Sequence, residues 1–254
     1  MPVAVPFMTP ALLSTIRKQK NLPHDTWYII AATVLTLLNR PDEIRTVYRE
    51  AMDRGPRSMD IKANLEEQLT ISRRLREALI KASAVGGIPK SINALLSLKE
   101  VTPVHLLDEP GSSTPTGRWA DMFEAPSSQI LDRGQSFFNK VYGKVAKRIM
   151  EQMDRSGTED LGLVARLVYG HLLSNTRVLS SAETSFVLIA GLIPQDVNPQ
   201  LKGHLRGALN GGATVEEVRA VREVAVTICE AAGMTRLAEN ATGGWGWRSE
   251  VANV

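Results

Sequence analysis

The chain has 254 residues, 43% of them hydrophobic and 22% charged, with a formal net charge of +3 and a single cysteine. That length and apolar content allow one large domain or two small ones and exclude a disordered chain. One cysteine excludes an intramolecular disulfide framework and fits an intracellular, cytoplasmic protein. The small charge excess, with no long basic run, argues against nucleic-acid binding. No apolar segment reaches the roughly 20 residues needed to span a bilayer, so no membrane association is expected.

The N-terminal stretch carries Arg17, Lys18 and Lys20 with no acid before Asp25. It reads as a solvated first helix, with mitochondrial targeting as the alternative. From Pro23 to Leu38, Trp27, Ile30, Ala31, Val34, Leu35 and Leu38 recur at helical spacing. Asn39-Arg40-Pro41 stops that helix, and Pro41 opens the next, which runs to about Met52 before the breaker Asp53-Arg54-Gly55-Pro56. A further helix spans Leu65 to Val85, with Leu65, Leu69, Leu75, Leu79 and Ala82 on one side, and ends at Gly86-Gly87. Pro89 then opens a short helix through Leu98.

Residues 102–128 change character and form a linker or lid rich in proline, glycine, serine and threonine. Trp119, Met122 and Phe123 imply that its end packs against something. Helices resume over Ile130–Met153, Leu161–Leu173 and Ser180–Leu192. Pro194 and Pro199 bound a short turn, and the helix holding His204 ends at Gly211-Gly212. Thr214 and Glu217 make a capping box for a last helix that reaches about Ala232, with Gly233 as its cap. The expected class is all-α, because alternating strand patterns are scarce. The run Leu75–Pro89 has the rhythm of Val218–Met234, and Leu22–Trp27 leads its helix much as Leu179–Thr184 does. These echoes suggest a degenerate duplication: a helical unit over 1–101, the linker over 102–128 and a second unit over 129–254.

Gly203-His204-Leu205-Arg206-Gly207, the following Gly211-Gly212-Ala213-Thr214, the Leu179–Ile193 helix and Tyr169-Gly170-His171 occur in one order. In this the chain resembles the carboxymuconolactone decarboxylase family and its alkyl hydroperoxidase D branch. That branch places a Cys-x-x-Cys pair before the histidine, where this chain has Val197 to Lys202. A dithiol cycle needs two thiols, and Cys229 is alone. The resemblance implies duplicated helical units of the alkyl hydroperoxidase D type and a homo-oligomer, as dimer, trimer or hexamer. It also implies catalysis by His204 and Glu183 facing one pocket.

The chemistry implied is cofactor-independent, lyase-like acid/base work that decarboxylates a small organic acid or lactone acid. A neutral imidazole can move a proton near neutral pH, and a carboxylate on a neighbouring helix can orient it. His204 is expected near a helix start, where the dipole favours the neutral ring. His171 at a helix end, Arg206 and Trp245 are candidate substrate-binding residues. His24 reads as structural, and His105, in the linker, as a lid or a surface group. Four scattered histidines without an acidic cluster give no metal site, and no cofactor is expected. Three alternatives stand beside this: a non-catalytic oligomeric scaffold; an isomerase, dehydratase or lactone hydrolase; and a thiol peroxidase using Cys229. The last requires an exposed, acidified thiol, whereas Val224–Ile228 places Cys229 in an apolar run.

Overall fold

A computed structural model describes residues 5–54, 61–108, 114–238 and 240–254. Gly55-Pro56 of the expected breaker and residues 109–113 of the expected linker lie outside these residues. The fold is an all-α, multi-helix assembly. In chain order it contains α1 (Pro10–Arg17), α2 (Trp27–Leu37), α3 (Pro41–Arg54), α4 (Ile61–Gly86), α5 (Ile88–Val101) and α6 (Arg118–Phe123). There follow α7 (Ser127–Tyr142), α8 (Ala146–Asp154), α9 (Asp160–Leu167), α10 (Ser181–Leu192), α11 (Asn198–Asn210) and α12 (Val215–Ala231). Two-residue strands β1 (Thr235–Arg236) and β2 (Gly246–Trp247) pair in parallel near the C-terminus.

The helices α2 and α10 form the centre. Every residue of α2 is buried, as is α10 from Thr184 to Leu192. They pack on one another and on α4 and α12. Threonines survive inside α2 because Thr33 and Thr36 donate their hydroxyls to the carbonyls of Ile29 and Ala32, each at 2.7 Å. One hydrophobic cluster runs from Met8 through α2, α4, α10 and α12 to Ala252. A smaller cluster gathers Phe137, Phe138, Val141, Met150, Tyr169 and Leu173 under Leu188.

The helix starts follow from their caps. Ser180 with Glu183, and Thr214 with Glu217, form capping boxes at α10 and α12. The first helix is not simply solvated, because Leu13 and Ile16 of α1 enter the core and Arg17 pairs with Glu50 at 3.4 Å. The single helix expected over Ile130–Met153 is instead two. Gly143, at φ 55°, turns the chain after α7, and a short 3₁₀ turn leads into α8.

Beyond α9 the helix widens into a π segment, Val168–Leu173. There α7 passes so closely that a Cβ on Gly134 would lie 2.5 Å from the Gly170 nitrogen. Two glycines meeting at the crossing permit this approach and keep the π segment against α7. The C-terminal segment is tied down by Trp247, whose indole donates to the Ile193 carbonyl at 2.8 Å. Arg222 reinforces it by donating to the carbonyls of Val251 and Ala252.

Candidate functional site

The structure does not join Glu183 to His204 by a hydrogen bond or an ion pair. Glu183 spends both carboxylate oxygens elsewhere: Oε1 accepts from Arg74 at 2.6 Å, and Oε2 accepts from the Ser180 backbone at 2.8 Å. Arg74 also donates to the Tyr28 hydroxyl and the Asp25 carbonyl. Burial works to raise the Glu183 pKa. The charge and hydrogen bond of Arg74, with the bonds from Ser180, more than offset this and hold it below the usual range. Glu183 is therefore a capped, ion-paired carboxylate that fastens α10 to α4.

His204 is buried in the middle of α11, away from the helix start where it was expected. Its Nε2 faces the Tyr142 hydroxyl at 3.4 Å, and Tyr169 donates to Tyr142 at 3.2 Å. Its Nδ1 is buried without a partner. With no carboxylate beside it, desolvation pushes its pKa from 6.5 down to about 4. Burial likewise raises the phenols of Tyr142 and Tyr169. This is a neutral histidine under an aromatic cluster of Phe138, Tyr142 and Tyr169.

The other sequence candidates are dispersed. His171 is half-buried within the π segment, Arg206 is exposed, and Trp245 is half-exposed in the tail. His24 is exposed beside Asp25, and His105 is exposed. Cys229 is fully buried, and burial raises its thiol pKa further, so the exposure that thiol chemistry requires is missing. Among the described residues, no group of three His, Cys, Asp or Glu side chains is placed to hold a metal. No described helix is long and apolar enough to cross a membrane.

A different constellation lies along α4. Glu77 and Lys81, one turn apart, are both fully enclosed, with Lys81 Nζ 3.7 Å from Glu77 Oε1. Arg118, at the start of α6, grips Glu77 with both terminal nitrogens, at 2.7 and 2.6 Å. Lys81 also donates to the carbonyls of Leu173 and Asn175 at 3.2 and 2.7 Å, and to the Thr184 hydroxyl at 2.6 Å. It thereby satisfies carbonyls that the end of the π segment leaves open. Desolvation lowers the Lys81 pKa from 10.5 to about 8, with Glu77 acting in the opposite direction.

Glu77 and Arg118 line a cavity of about 530 Å³ shared with Arg73, Arg76, Asp108 and the side chains of α6. Arg73 and Arg76 both reach Asp108, at 3.0 and 2.7 Å. Among the described residues, three arginines thus face two carboxylates in one cleft, leaving a cationic excess. The expected packing of the linker end is not found: Trp119, Met122 and Phe123 are 70, 58 and 65% exposed along the cavity mouth. The backbone beneath them is secured. Arg133 binds Asp121 at 2.7 Å and the Gly170 carbonyl at 3.0 Å, while Asn175 donates to the Thr116 carbonyl at 2.7 Å.

None of His204, Glu183, His171, Arg206 or Trp245 lines this cavity. Sequence reasoning missed Glu77 and Lys81 because a Glu-Lys pair at this spacing ordinarily marks a solvated helix face. The available signal was that Lys81 sits between Leu79 and Ala82, inside the apolar stripe of its helix.

No protein-family profile matches the chain. Peroxisomal protein 2 of Schizosaccharomyces pombe is 36% identical to it, over 82% of this chain and 87% of the relative. Peroxisomal protein 2 of Saccharomyces cerevisiae is 31% identical, over 86% of this chain and 91% of the relative. The chain belongs to the peroxisomal protein 2 family. This corrects the assignment to the carboxymuconolactone decarboxylase and alkyl hydroperoxidase D family, and with it the decarboxylating lyase identity, which rested on the order of segments from Tyr169 to Thr214. The cytoplasmic or mitochondrial expectation is corrected as well, since both relatives are named as peroxisomal proteins.

Proposed function

For this member of the peroxisomal protein 2 family, we propose acid/base chemistry on a small organic acid held in the cavity between α4 and α6, with no bound cofactor. The observation that carries this reading is a cationic cleft whose wall holds a carboxylate backed by a buried lysine. Arg118 already presents the two-pronged geometry that fits a carboxylate, with Glu77 in place. A ligand carboxylate can take over that grip. Glu77, freed from Arg118, is then positioned to accept a proton from the ligand and return it, with the buried Lys81 charge behind it at 3.7 Å.

Deuterium uptake tests this. The full chain is incubated with acetoacetate in D₂O, and the carbon-2 protons are followed by NMR. Uptake faster than in buffer, lost in Glu77→Gln, is the expected result. Binding without accelerated uptake would favour the second reading, a non-catalytic binding protein. That reading draws support from Lys81, whose three N–H donors are all engaged.

Peroxisomal residence is carried over from the names of the two relatives, and a fluorescent fusion scored against a peroxisomal marker checks it. The mutual packing of α2 and α10, with α4 and α12 set against both, supports a degenerate duplication. A homo-oligomer is supported by the exposed row Leu161, Val164 and Leu167 on α9. Light scattering of the purified chain reads the oligomeric state directly.

A further inference from the structure

We infer that the cavity takes a monocarboxylate with an extended apolar body, its head on Arg118 and its body along α6, in preference to a compact polar acid. This rests on the proposed use of the same cavity and specifies the class of acid.

The two ends of the cleft differ in chemistry. At one end stand Arg118, Arg73 and Arg76, whose guanidinium groups supply the cationic excess. A ligand carboxylate on the terminal nitrogens of Arg118 would take the two-pronged geometry that Glu77 already occupies there. At the other end the Trp119 and Phe123 rings lie against each other, 4.3 Å apart at 44°, in one apolar cluster that Met122 extends. Ile80, Pro115 and Val178 complete the apolar walls.

A soluble protein gains nothing in folding stability by leaving two large aromatic rings in water, and such a patch at a cleft marks a surface that something covers. A two-carbon or hydroxylated acid would occupy the arginine end and leave this cluster wet. An eight-carbon chain would cover it, and each buried methylene adds to affinity. The bonds from Arg133 and Asn175 hold α6 in place before any ligand arrives, so little ordering accompanies binding.

Calorimetric titration of the full chain with octanoate, acetate and malate is the test. Octanoate is expected to bind at least about tenfold more tightly than acetate or malate. Trp119→Ala and Phe123→Ala should each remove most of octanoate's advantage over acetate. Both side chains are exposed, so neither variant threatens folding. Equal affinity for the three acids, weakened in Arg76→Gln, would overturn this inference and leave the cavity as a general acid site. Binding of none of them would overturn both.

Discussion

The His204 cluster and the Glu77–Lys81–Arg118 cluster are both buried, yet burial has opposite consequences in them. His204 has a weakly placed tyrosine hydroxyl beside it and no carboxylate, so removal from water drives it neutral. Lys81 is as deeply enclosed, but Glu77, two carbonyls and Thr184 surround it, and it stays charged at neutral pH. A partner in reach decides whether a desolvated group keeps its charge. The charged cluster borders an open cavity, whereas the neutral one is closed under aromatic rings.

The largest expected effect comes from breaking the charged cluster. Glu77→Gln leaves Arg118 and Lys81 uncompensated and should cost roughly 3–5 kcal/mol in urea unfolding. Adding Lys81→Met should recover part of that loss, because one stranded charge goes with its partner. Strict additivity of the two substitutions would break the comparison.

The neutral cluster should instead show itself through pH. The unfolded chain protonates His204 near pH 6.5, while the folded chain resists until about pH 4. Its contribution is therefore complete above pH 6.5 and is lost as pH falls through about 4. Up to about 3 kcal/mol is at stake over that window. His204→Leu should flatten this part of the stability profile, measured by denaturation at successive pH values.

Smaller effects sharpen the contrast. Glu183→Ala removes a capping-box carboxylate and the partner of Arg74, and should cost about 1–2 kcal/mol without changing octanoate affinity. Arg206→Ala, at an exposed position on α11, should alter stability by no more than about 0.5 kcal/mol.

The sequence was most legible where the controlling interaction is local. The capping box of α12, the glycine stops and the apolar period of α2 all act within one or two turns, and the helices stand where they indicated. The break between α7 and α8 was not legible, because nothing in the run from Ile130 to Met153 distinguishes Gly143 from the tolerated Gly134. What separates them is the backbone angle at one and the crossing with the π segment at the other.

The candidate site failed for a related reason. Arg118 and Glu77 lie 41 positions apart, and only the placement of α6 against α4 brings them together. Glu183 instead completes the capping box of α10. Its ion-pair partner comes from α4, and that pairing occupies the carboxylate the histidine was expected to share.

The most direct measurement is the affinity of octanoate for three full-length proteins: the unsubstituted chain, Arg118→Gln and His204→Leu. The account predicts a loss of at least about tenfold, or about 1.4 kcal/mol, in Arg118→Gln and an unchanged affinity in His204→Leu. Loss in His204→Leu with Arg118→Gln unaffected would contradict it and place the ligand chemistry back at α11.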